Sequence, residues 1–278
     1  MKIAACVFAR DEARDIAEWI AYQIAIGFDS VLVYDNGSVD DTPSIVRQFG
    51  ARHDVRLLPW PCIERDAQGR CYRDCIARFA SEFDWISFTD ADEFIVPRAG
   101  DVRGILAGHP LSTAAVVLNW AFFGSSGYAS RPPGLLTETF TRRAPDTDPD
   151  HRIIKSIVRG GSVIRPENPH TFLAFGDTRT ASGSAVEWLR PGALTTVDYS
   201  VAQLNHYFTK SRAEWDRKMD RGYRDSTVRD REKAFLRYDR NEVADDTATR
   251  FAPVVRRILD RVHGVNAALH SHVPAPVE

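Results

Sequence analysis

Short apolar runs alternate with amphipathic segments through the first 120 residues of the chain. Five of the runs are rich in β-branched and aromatic residues and predict strands, at 2–9, 30–34, 55–60, 85–89 and 113–123. The segments between them have apolar residues at helical spacing, which predicts helices at 15–28, 43–50, 70–83 and 102–108. Thr42 is the expected N-cap of the second helix, and Gly27 the expected end of the first. This alternation predicts an α/β fold with a mostly parallel sheet and helices on both faces.

The alternation stops after Gly124. Residues 124–150 are rich in Gly, Pro, Ser and Asp, which indicates a long functional loop. Two short strands around a Gly-Gly turn are expected within 151–164, and helical spacing returns at 212–222, 228–238 and 251–262. We therefore expect one large domain over 1–222 and a C-terminal helical extension over 223–278.

Composition and charge mainly argue against certain classes of protein. The 278 residues are 44% hydrophobic and 27% charged, and the formal net charge of -2 argues against a general grip on nucleic acid. No apolar run is long enough to span a membrane, and the first is too short for a signal sequence, so we expect a cytoplasmic protein. The basic, aromatic stretch with Trp215, Lys218, Tyr223 and Arg224 leaves two alternatives. One is peripheral contact with the inner membrane face, and the other is a solvated amphipathic helix.

Polar side chains follow three of the predicted strands at the point where each strand ends. The segments are "ARDE" at 9–12, "DNGSVDD" at 35–41 and "DADE" at 90–93. Ligands of open α/β sheets bind outside the carboxyl ends of the strands, so these segments mark the expected site. The first strand is not followed by a G-x-G-x-x-G motif, and the chain has no P-loop lysine motif. Both absences argue against a dinucleotide or P-loop site of the usual kind.

The segment at 90–93 carries the most specific chemistry. Asp90 and Asp92 converge only if the backbone turns after the strand, and two converging carboxylates repel each other unless a cation lies between them. Mg²⁺ or Mn²⁺ fits this role, since these ions bind few protein carboxylates and leave positions open for substrate phosphates. The alternative is a helix N-cap with no bound ion.

Six quoted elements carry a resemblance to known glycosyltransferases. "WISFTDADEF" resembles the D-x-D strand end of the GT-A fold, "VLVYDNGSVDDT" the D-D-G-S-x-D-x-T element of family 2, and "YRDCI" their A-R-N-x-G/A helix. "WAFFGSSGY", "KSIV" and "LNHYFTKSRAEWDRKMDRG" are closer to the family-92-like (DUF23-type) group. The resemblance covers residues 3–222 and implies a GT-A-like fold with a nucleotide-binding half at 1–120 and an acceptor half at 121–222.

The resemblance also implies a donor site for a nucleotide sugar, with a UDP-sugar first. Asp90 and Asp92 would hold Mn²⁺ or Mg²⁺, with His206 as a third ligand or a diphosphate contact. Asn36 stands where family 2 more often has a second Asp. The other implied donor contacts, to base, ribose or phosphate, are Ala9, Arg10, Glu12, Asp35, Asn36, Arg73, Ala91 and Lys210.

Both families invert the anomeric centre, which requires a base for the acceptor hydroxyl. Glu138 and Asp177 are the candidates. The resemblance places the acceptor, a saccharide or another hydroxyl compound, near four residues: Trp120, Phe123, Gly124 and His170.

The expected function is transfer of a hexosyl group in surface glycan or lipopolysaccharide synthesis. A non-catalytic nucleotide- or sugar-binding module, or a nucleotidyltransferase on a similar fold, are the alternatives. A nucleotidyltransferase usually has a Gly-rich loop and a lysine after the first strand, where this chain has "ARDEARD".

Overall fold

Strands and helices alternate through the first 122 residues, as the sequence predicts. The computed structural model describes residues 1–221 and 230–262. Its strands are β1 (Ile3–Ala9), β2 (Ser30–Asp35), β3 (Asp54–Pro59), β4 (Trp85–Phe88), β5 (Glu93–Pro97), β6 (Thr113–Phe122), β7 (Arg142–Arg143), β8 (Ile154–Arg159), β9 (Val163–Pro166), β10 (Phe172–Ala174), β11 (Asp177–Thr180), β12 (Trp188–Arg190), β13 (Ala193–Leu194), β14 (Ala202–His206) and β15 (Val243–Ala244). Its helices are α1 (Ile16–Ala25), α2 (Thr42–Gly50), α3 (Ala67–Phe79), α4 (Val102–Ala107), α5 (Leu136–Thr139), α6 (Arg212–Arg221), α7 (Arg231–Tyr238) and α8 (Ala252–Arg261), with 3-10 helices at Pro149–Arg152 and Thr247–Phe251.

A nine-stranded sheet forms the centre of the described structure. Its order is β3-β2-β1-β4-β8-β6-β14-β5, with β11 also paired to β6. Strands β1 to β4 are parallel, and so are β6, β11 and β14, whereas β8 is antiparallel to both β4 and β6. Because β8 reverses the direction on each side, β6 and β14 point the same way as β4. The predicted fold class, α/β with a mostly parallel sheet, is confirmed.

Helices cover both faces of the sheet, because alternate residues of each central strand point to opposite sides. In β1, Ala5 and Val7 belong to a core shared with α1, α2, α4 and α8, whereas Ala4 and Cys6 belong to a second core shared with α3. The strands are therefore apolar at nearly every position. Helix α8 packs against α1, so the C-terminal part shares the larger core. The domain boundary at residue 222 stays a prediction.

The structure departs from the sequence-based expectation at several boundaries. β5, directly after the acidic segment, was not predicted, because its antiparallel partner β14 lies more than a hundred residues later in the chain. The expected loop at 124–150 contains α5, β7 and the start of a 3-10 helix. Asp41, rather than Thr42, precedes helix α2 as its N-cap, and α3 begins at Ala67. Gly27 has φ +105° after α1, as predicted for a helix end.

The basic, aromatic stretch is not a solvated face throughout. Trp215 is fully buried in a small cluster with Met219 and Phe235, so its ring is not available to a lipid surface. Tyr223 and Arg224 lie outside the described residues. Within residues 1–221 and 230–262, no helix has the length and apolar character needed to cross a membrane.

Candidate active site

The carboxyl ends of β1, β2, β4, β6 and β14 meet at one edge of the sheet, since these strands run in the same direction. This edge gathers the three polar segments that the sequence singled out. It also receives the first residues of β8 and the chain after β14. Most of the predicted donor residues therefore lie together because of strand direction alone.

The end of β2 is fixed to the end of β1. The backbone N–H of Asn36 donates to Ala9 O (2.8 Å), and its side-chain oxygen accepts from Cys62 N (2.9 Å). Asp35 is buried, and both its carboxylate oxygens lie 3.3 Å from Ser38 N. Asp35 and Asn36 thus form a hydrogen-bonded polar end of β2 beside residues 9–12, and their role in binding base and ribose stays a prediction.

Asp90 lies immediately beyond β4 and is held from both faces of the sheet. Gln68 of α3 donates to Asp90 Oδ1 (2.7 Å), and the Lys155 ammonium of β8 donates to Asp90 Oδ2 (2.9 Å). Lys155 is 1% exposed, whereas the Asp90 side chain is 35% exposed. Burial opposes ionisation of Asp90, but Lys155 outweighs it and holds the pKa of Asp90 below its usual value.

Asp92 has a different set of partners. Lys218 of α6 donates to Asp92 Oδ2 (3.0 Å), and His206 Nε2 at the end of β14 lies 3.6 Å from Asp92 Oδ1. Burial opposes ionisation here too, but Lys218 and His206 together hold the pKa of Asp92 well below its usual value. The Lys218 ammonium also lies 4.0 Å from the centre of the Phe208 ring.

Glu93 is the third carboxylate of the segment, and it points into the protein. Its oxygens accept from Trp120 Nε1 (2.8 Å) and from Asp90 N (2.8 Å), and it is fully buried. Burial raises the pKa of Glu93 to about 8, although Lys155 at 3.6 Å opposes that shift. Glu93 therefore orients the turn after β4 and holds Trp120.

The chemistry of this donor set fits a hard divalent cation. Two carboxylates with lowered pKa and a neutral imidazole are suitable ligands for Mn²⁺ or Mg²⁺. Burial lowers the pKa of His206, and its Nδ1 has no hydrogen-bond partner among the described residues. In the part of the chain that the structure describes, no three His, Cys, Asp or Glu side chains form a complete metal site. A cation here would need the substrate's phosphates as further ligands, and Lys218 would have to leave Asp92.

Aromatic rings form one wall beside the carboxylates. The Trp120 ring lies 4.2 Å from the His206 ring and 5.7 Å from the His170 ring, centre to centre. The His170 ring nitrogen Nδ1 lies 2.8 Å from Ile154 O, and burial and the nearby Lys155 lower its pKa to about 4. Trp120 and His170 thus lie beside each other near the carboxylates, and their role in acceptor binding stays a prediction.

Lys210 lies near this edge in an ionic cluster. It pairs with Asp15, which also pairs with the buried Arg131. Burial opposes its charge, but Asp15 and Glu12 outweigh it, so the pKa of Lys210 is raised. Lys210 therefore joins the chain after β14 to the start of α1, and Glu12 is close to it. Arg10 lies 3.6 Å from Asp11 at the same strand end.

Three predicted contacts require correction. Arg73 is exposed and pairs with Asp66 on the surface, so Gln68, from the first turn of α3, reaches Asp90 instead. Phe123 is fully buried and packs on Tyr207 at 4.7 Å. Gly124 is enclosed by backbone, since a Cβ there would lie 2.3 Å from Arg240 O. Phe123 and Gly124 thus belong to the packed core rather than to an acceptor surface.

Neither predicted base lies at the carboxylate cluster. Glu138 pairs with Arg256 of α8, over the helical face of the protein. Asp177 pairs with Thr113, the first residue of β6, which places it about 30 Å along the strand from Phe122. The sequence could not show this, because Asp177 reaches the sheet through a long-range pairing.

Asp150 is an acidic residue at this edge that sequence reasoning missed. His151 Nε2 accepts from Phe122 N (3.0 Å), which fixes the 3-10 helix Pro149–Arg152 to the end of β6. Burial raises the pKa of Asp150, and His206 and Arg190 are close enough to oppose the shift. The Arg237 guanidinium lies 3.8 Å from the Asp150 carboxylate. A "DPDH" sequence after a Gly/Pro-rich segment was the available signal.

Comparison with known proteins identifies relatives over most of the chain. A family model described as Glycosyltransferase family 92 matches residues 2–241. A family 92 protein of Oryza sativa subsp. japonica is 29% identical over 168 residues, which is 58% of this chain and 26% of that protein. One from Ricinus communis is 27% identical over 178 residues, 60% of this chain and 29% of that protein. The chain matches less than a third of the length of these relatives.

Solved structures give a weaker likeness. S. aureus TarS 1-349, in complex with UDP, is 17% identical and has a TM-score of 0.38, covering 58% of this chain and 47% of that chain. Glucosyl-3-phosphoglycerate synthase from Mycobacterium tuberculosis is 20% identical with a TM-score of 0.31, covering 43% and 44%. Scores this low support no inference about the site.

Proposed function

The chain belongs to glycosyltransferase family 92, and on this basis we propose that it is an inverting, metal-dependent enzyme. It moves a hexosyl group from a nucleotide sugar, with a UDP-sugar first among donors, to a hydroxyl acceptor. The observation that carries the proposal is the arrangement after β4. Two ionised carboxylates, Asp90 and Asp92, lie at the carboxyl edge of the sheet beside the polar ends of β1 and β2.

The position of each residue indicates its proposed role. Asp35 and Asn36 bind the base and ribose, and the turn at Ala91 lies between the two aspartates. Asp90, Asp92 and His206 would hold the cation together with the donor diphosphate. When bound, Mn²⁺ or Mg²⁺ supplies positive charge that stabilises the departing diphosphate. Lys210 and Lys218 provide further positive charge near the same phosphates.

Asp150 is the group we assign to deprotonating the acceptor hydroxyl. It lies at the end of β6 near His206, and burial raises its pKa, which suits a general base. Asp150→Asn should lower kcat by about 10²-fold or more and leave UDP binding unchanged. Asp146→Asn, on the exposed side of the same segment, is the control. Equal turnover by the two variants would remove Asp150 from this role.

The acceptor is a saccharide or another hydroxyl compound, and surface glycan or lipopolysaccharide synthesis is the setting we propose. A cytoplasmic location, with peripheral contact to the inner membrane face, stays a prediction from the sequence.

Calorimetric titration with UDP tests the proposal. We expect micromolar binding with Mn²⁺, loss of binding with EDTA, and loss in Asp92→Asn, because that variant replaces a charged carboxylate ligand with a neutral amide. Asp216→Asn, an exposed aspartate on α6, is the matched control and should bind as the wild type does. If UDP fails, GDP, CDP and dTDP follow, and failure of all four would reject a nucleotide-sugar donor.

A non-catalytic module is the main alternative. Such a module should bind UDP, but it should not hydrolyse any UDP-sugar, even slowly, when no acceptor is present. Hydrolysis that requires Mn²⁺ and Asp92 would exclude it.

A further inference from the structure

A cavity of about 380 Å³ opens on the face of the sheet that carries α3. Its volume lies within the range of about 300–1,000 Å³ that is typical of small-molecule sites. Its walls come mainly from the acceptor half of the chain, among them Ser156 of β8, Phe172 of β10, and Trp188 and Arg190 of β12, and Ala115 of β6 completes them. None of these side chains was predicted to bind a ligand, and none contributes to the carboxylate cluster described above.

The β12–β13 hairpin forms the outer wall of this cavity. Trp188 and Arg190 both line the cavity, although the pairing of β12 with β13 is irregular between them, and Leu189 is not among the lining residues. The hairpin is anchored on β8, because Ile154 N donates to Gly192 O (3.1 Å). Gly192 has φ +86°, and a Cβ there would lie 3.1 Å from the His170 Cβ. The hairpin tip therefore packs directly on His170.

The lining has the chemistry of a carbohydrate site. Trp188 keeps 42% of its surface exposed, which leaves an aromatic face for the C–H surface of a sugar ring. Glu167 and Arg190 supply an acceptor and a donor of hydrogen bonds, and the hydroxyls of Thr171 and Thr178 can do both. One anion and one cation balance each other, so the cavity favours a neutral saccharide over a charged one.

The cavity also lies close to the carboxylate cluster. Ser156 pairs in register with Phe88, which is two residues, or about 7 Å along the strand, from Asp90. Ser156 Oγ donates to His170 O (2.6 Å), so His170 separates the cavity from Trp120. A saccharide bound against Trp188 could extend past His170 toward the donor sugar.

We propose that this cavity is the acceptor subsite and that it binds a neutral saccharide, stacked on Trp188 and hydrogen-bonded by Arg190 and Glu167. The assignment of this cavity as an acceptor subsite rests on the proposed transferase function. Saccharide binding in the cavity does not depend on donor chemistry, so the subsite proposal and the transferase proposal can fail separately.

Saturation-transfer NMR on the full chain tests the proposal, with and without UDP and Mn²⁺. The probes are the methyl glycosides of glucose, galactose, mannose and N-acetylglucosamine, with methyl glucuronide as the charged comparison. We expect at least one neutral glycoside to bind, and Trp188→Ala to weaken that binding by about tenfold or more. Arg190→Ala should weaken it as well. Leu189→Ala, between the two on the same strand and 53% exposed, should bind as the wild type does, because Leu189 does not line the cavity.

UDP affinity should be equal in all three variants, which shows that each is folded and that the donor site is separate. Failure of every neutral glycoside, equal binding by Trp188→Ala and the wild type, or equal loss in Leu189→Ala would overturn the proposal. Preference for the glucuronide would overturn its neutral character. Glycoside binding at Trp188 without any nucleotide binding would instead reject the proposed function and leave the cavity as a saccharide site.

Discussion

The two aspartates of the D-A-D-E segment are both paired with lysine, but the two lysines come from different parts of the fold. Lys155 lies in the middle of the sheet on β8 and is 1% exposed, and it contacts both Asp90 and Glu93. Lys218 lies on α6 outside the sheet and is 17% exposed, and it contacts Asp92 beside His206. One cation is part of the core, and the other approaches the site from its rim.

This difference indicates different tasks for two similar ion pairs. A buried ammonium between two carboxylates cannot leave without exposing uncompensated charge in the protein interior. An ammonium at the rim can exchange its carboxylate for water or for a phosphate at little cost. We infer that Lys155 keeps Asp90 ionised and in place, whereas Lys218 holds Asp92 until a cation and the donor replace it.

The largest expected effect is on stability at Lys155. Lys155→Met should lower the free energy of unfolding by about 3 kcal/mol, near the low end for breaking a buried pair, because Asp90 is itself partly exposed. Urea unfolding at pH 7.5 measures it. The double variant Lys155→Met/Asp90→Asn should recover part of the loss, since Glu93 with a pKa of about 8 is largely protonated there. No recovery would mean that packing, rather than charge, is lost.

A pH series sharpens the comparison, because it separates the contribution of the lysine–aspartate pairs to stability from that of His151. Burial lowers the pKa of His151 from 6.5 to about 4, so the folded protein binds fewer protons than the unfolded chain between these values. Its contribution is present above pH 6.5 and is lost as the pH falls toward 4, by roughly 2–3 kcal/mol.

His151→Gln should remove this contribution and leave that of His170, whose pKa is also lowered to about 4, since glutamine can still accept from Phe122 N but does not titrate. Urea unfolding at pH 7.5, 6, 5 and 4.5 checks it. Asp90 and Asp92 have lowered pKa values and titrate below this range. An unchanged slope in the variant would assign the acid loss to another group.

The smallest effect is expected at Lys218. Lys218→Met should lower the free energy of unfolding by about 1–2 kcal/mol, less than Lys155→Met, because the Lys218 and Asp92 side chains keep 17% and 16% of their surface exposed and water partly screens the pair. Its affinity for Mn²⁺ should rise by about three- to tenfold, since the cation no longer displaces an ammonium from Asp92. Calorimetry with Mn²⁺ alone measures this. A stability loss equal to that of Lys155→Met would break the comparison and make both lysines structural.

Local pattern was sufficient for much of the fold. The buried strands at the centre of the sheet, the helices between them and the stop at Gly27 follow from periodicity and backbone preference, which act over a few residues. Because the strands run in the same direction, Asp35, Asn36, Asp90 and Asp92 lie at one edge of the sheet. Strand β5 was missed because nothing local distinguishes an edge strand whose partner, β14, comes late in the chain.

The site was predicted where its residues follow strands and missed where they come from elsewhere. Glu138 and Asp177 are acidic and near the acceptor half in sequence, but tertiary pairing takes both away from the carboxylate edge. Lys218 and Asp150 reach it from a helix and a 3-10 turn.

The sequence by itself determined the alternating α/β architecture, the polar strand ends and the two aspartates that follow β4, because these depend on local periodicity and on strand direction. Only the tertiary structure decided which cations face those aspartates, that Asp150 lies at the end of β6, and that Trp188 and Arg190 line one cavity. These facts depend on contacts between residues tens to more than a hundred positions apart, and on burial, which together set the charge and position of each group.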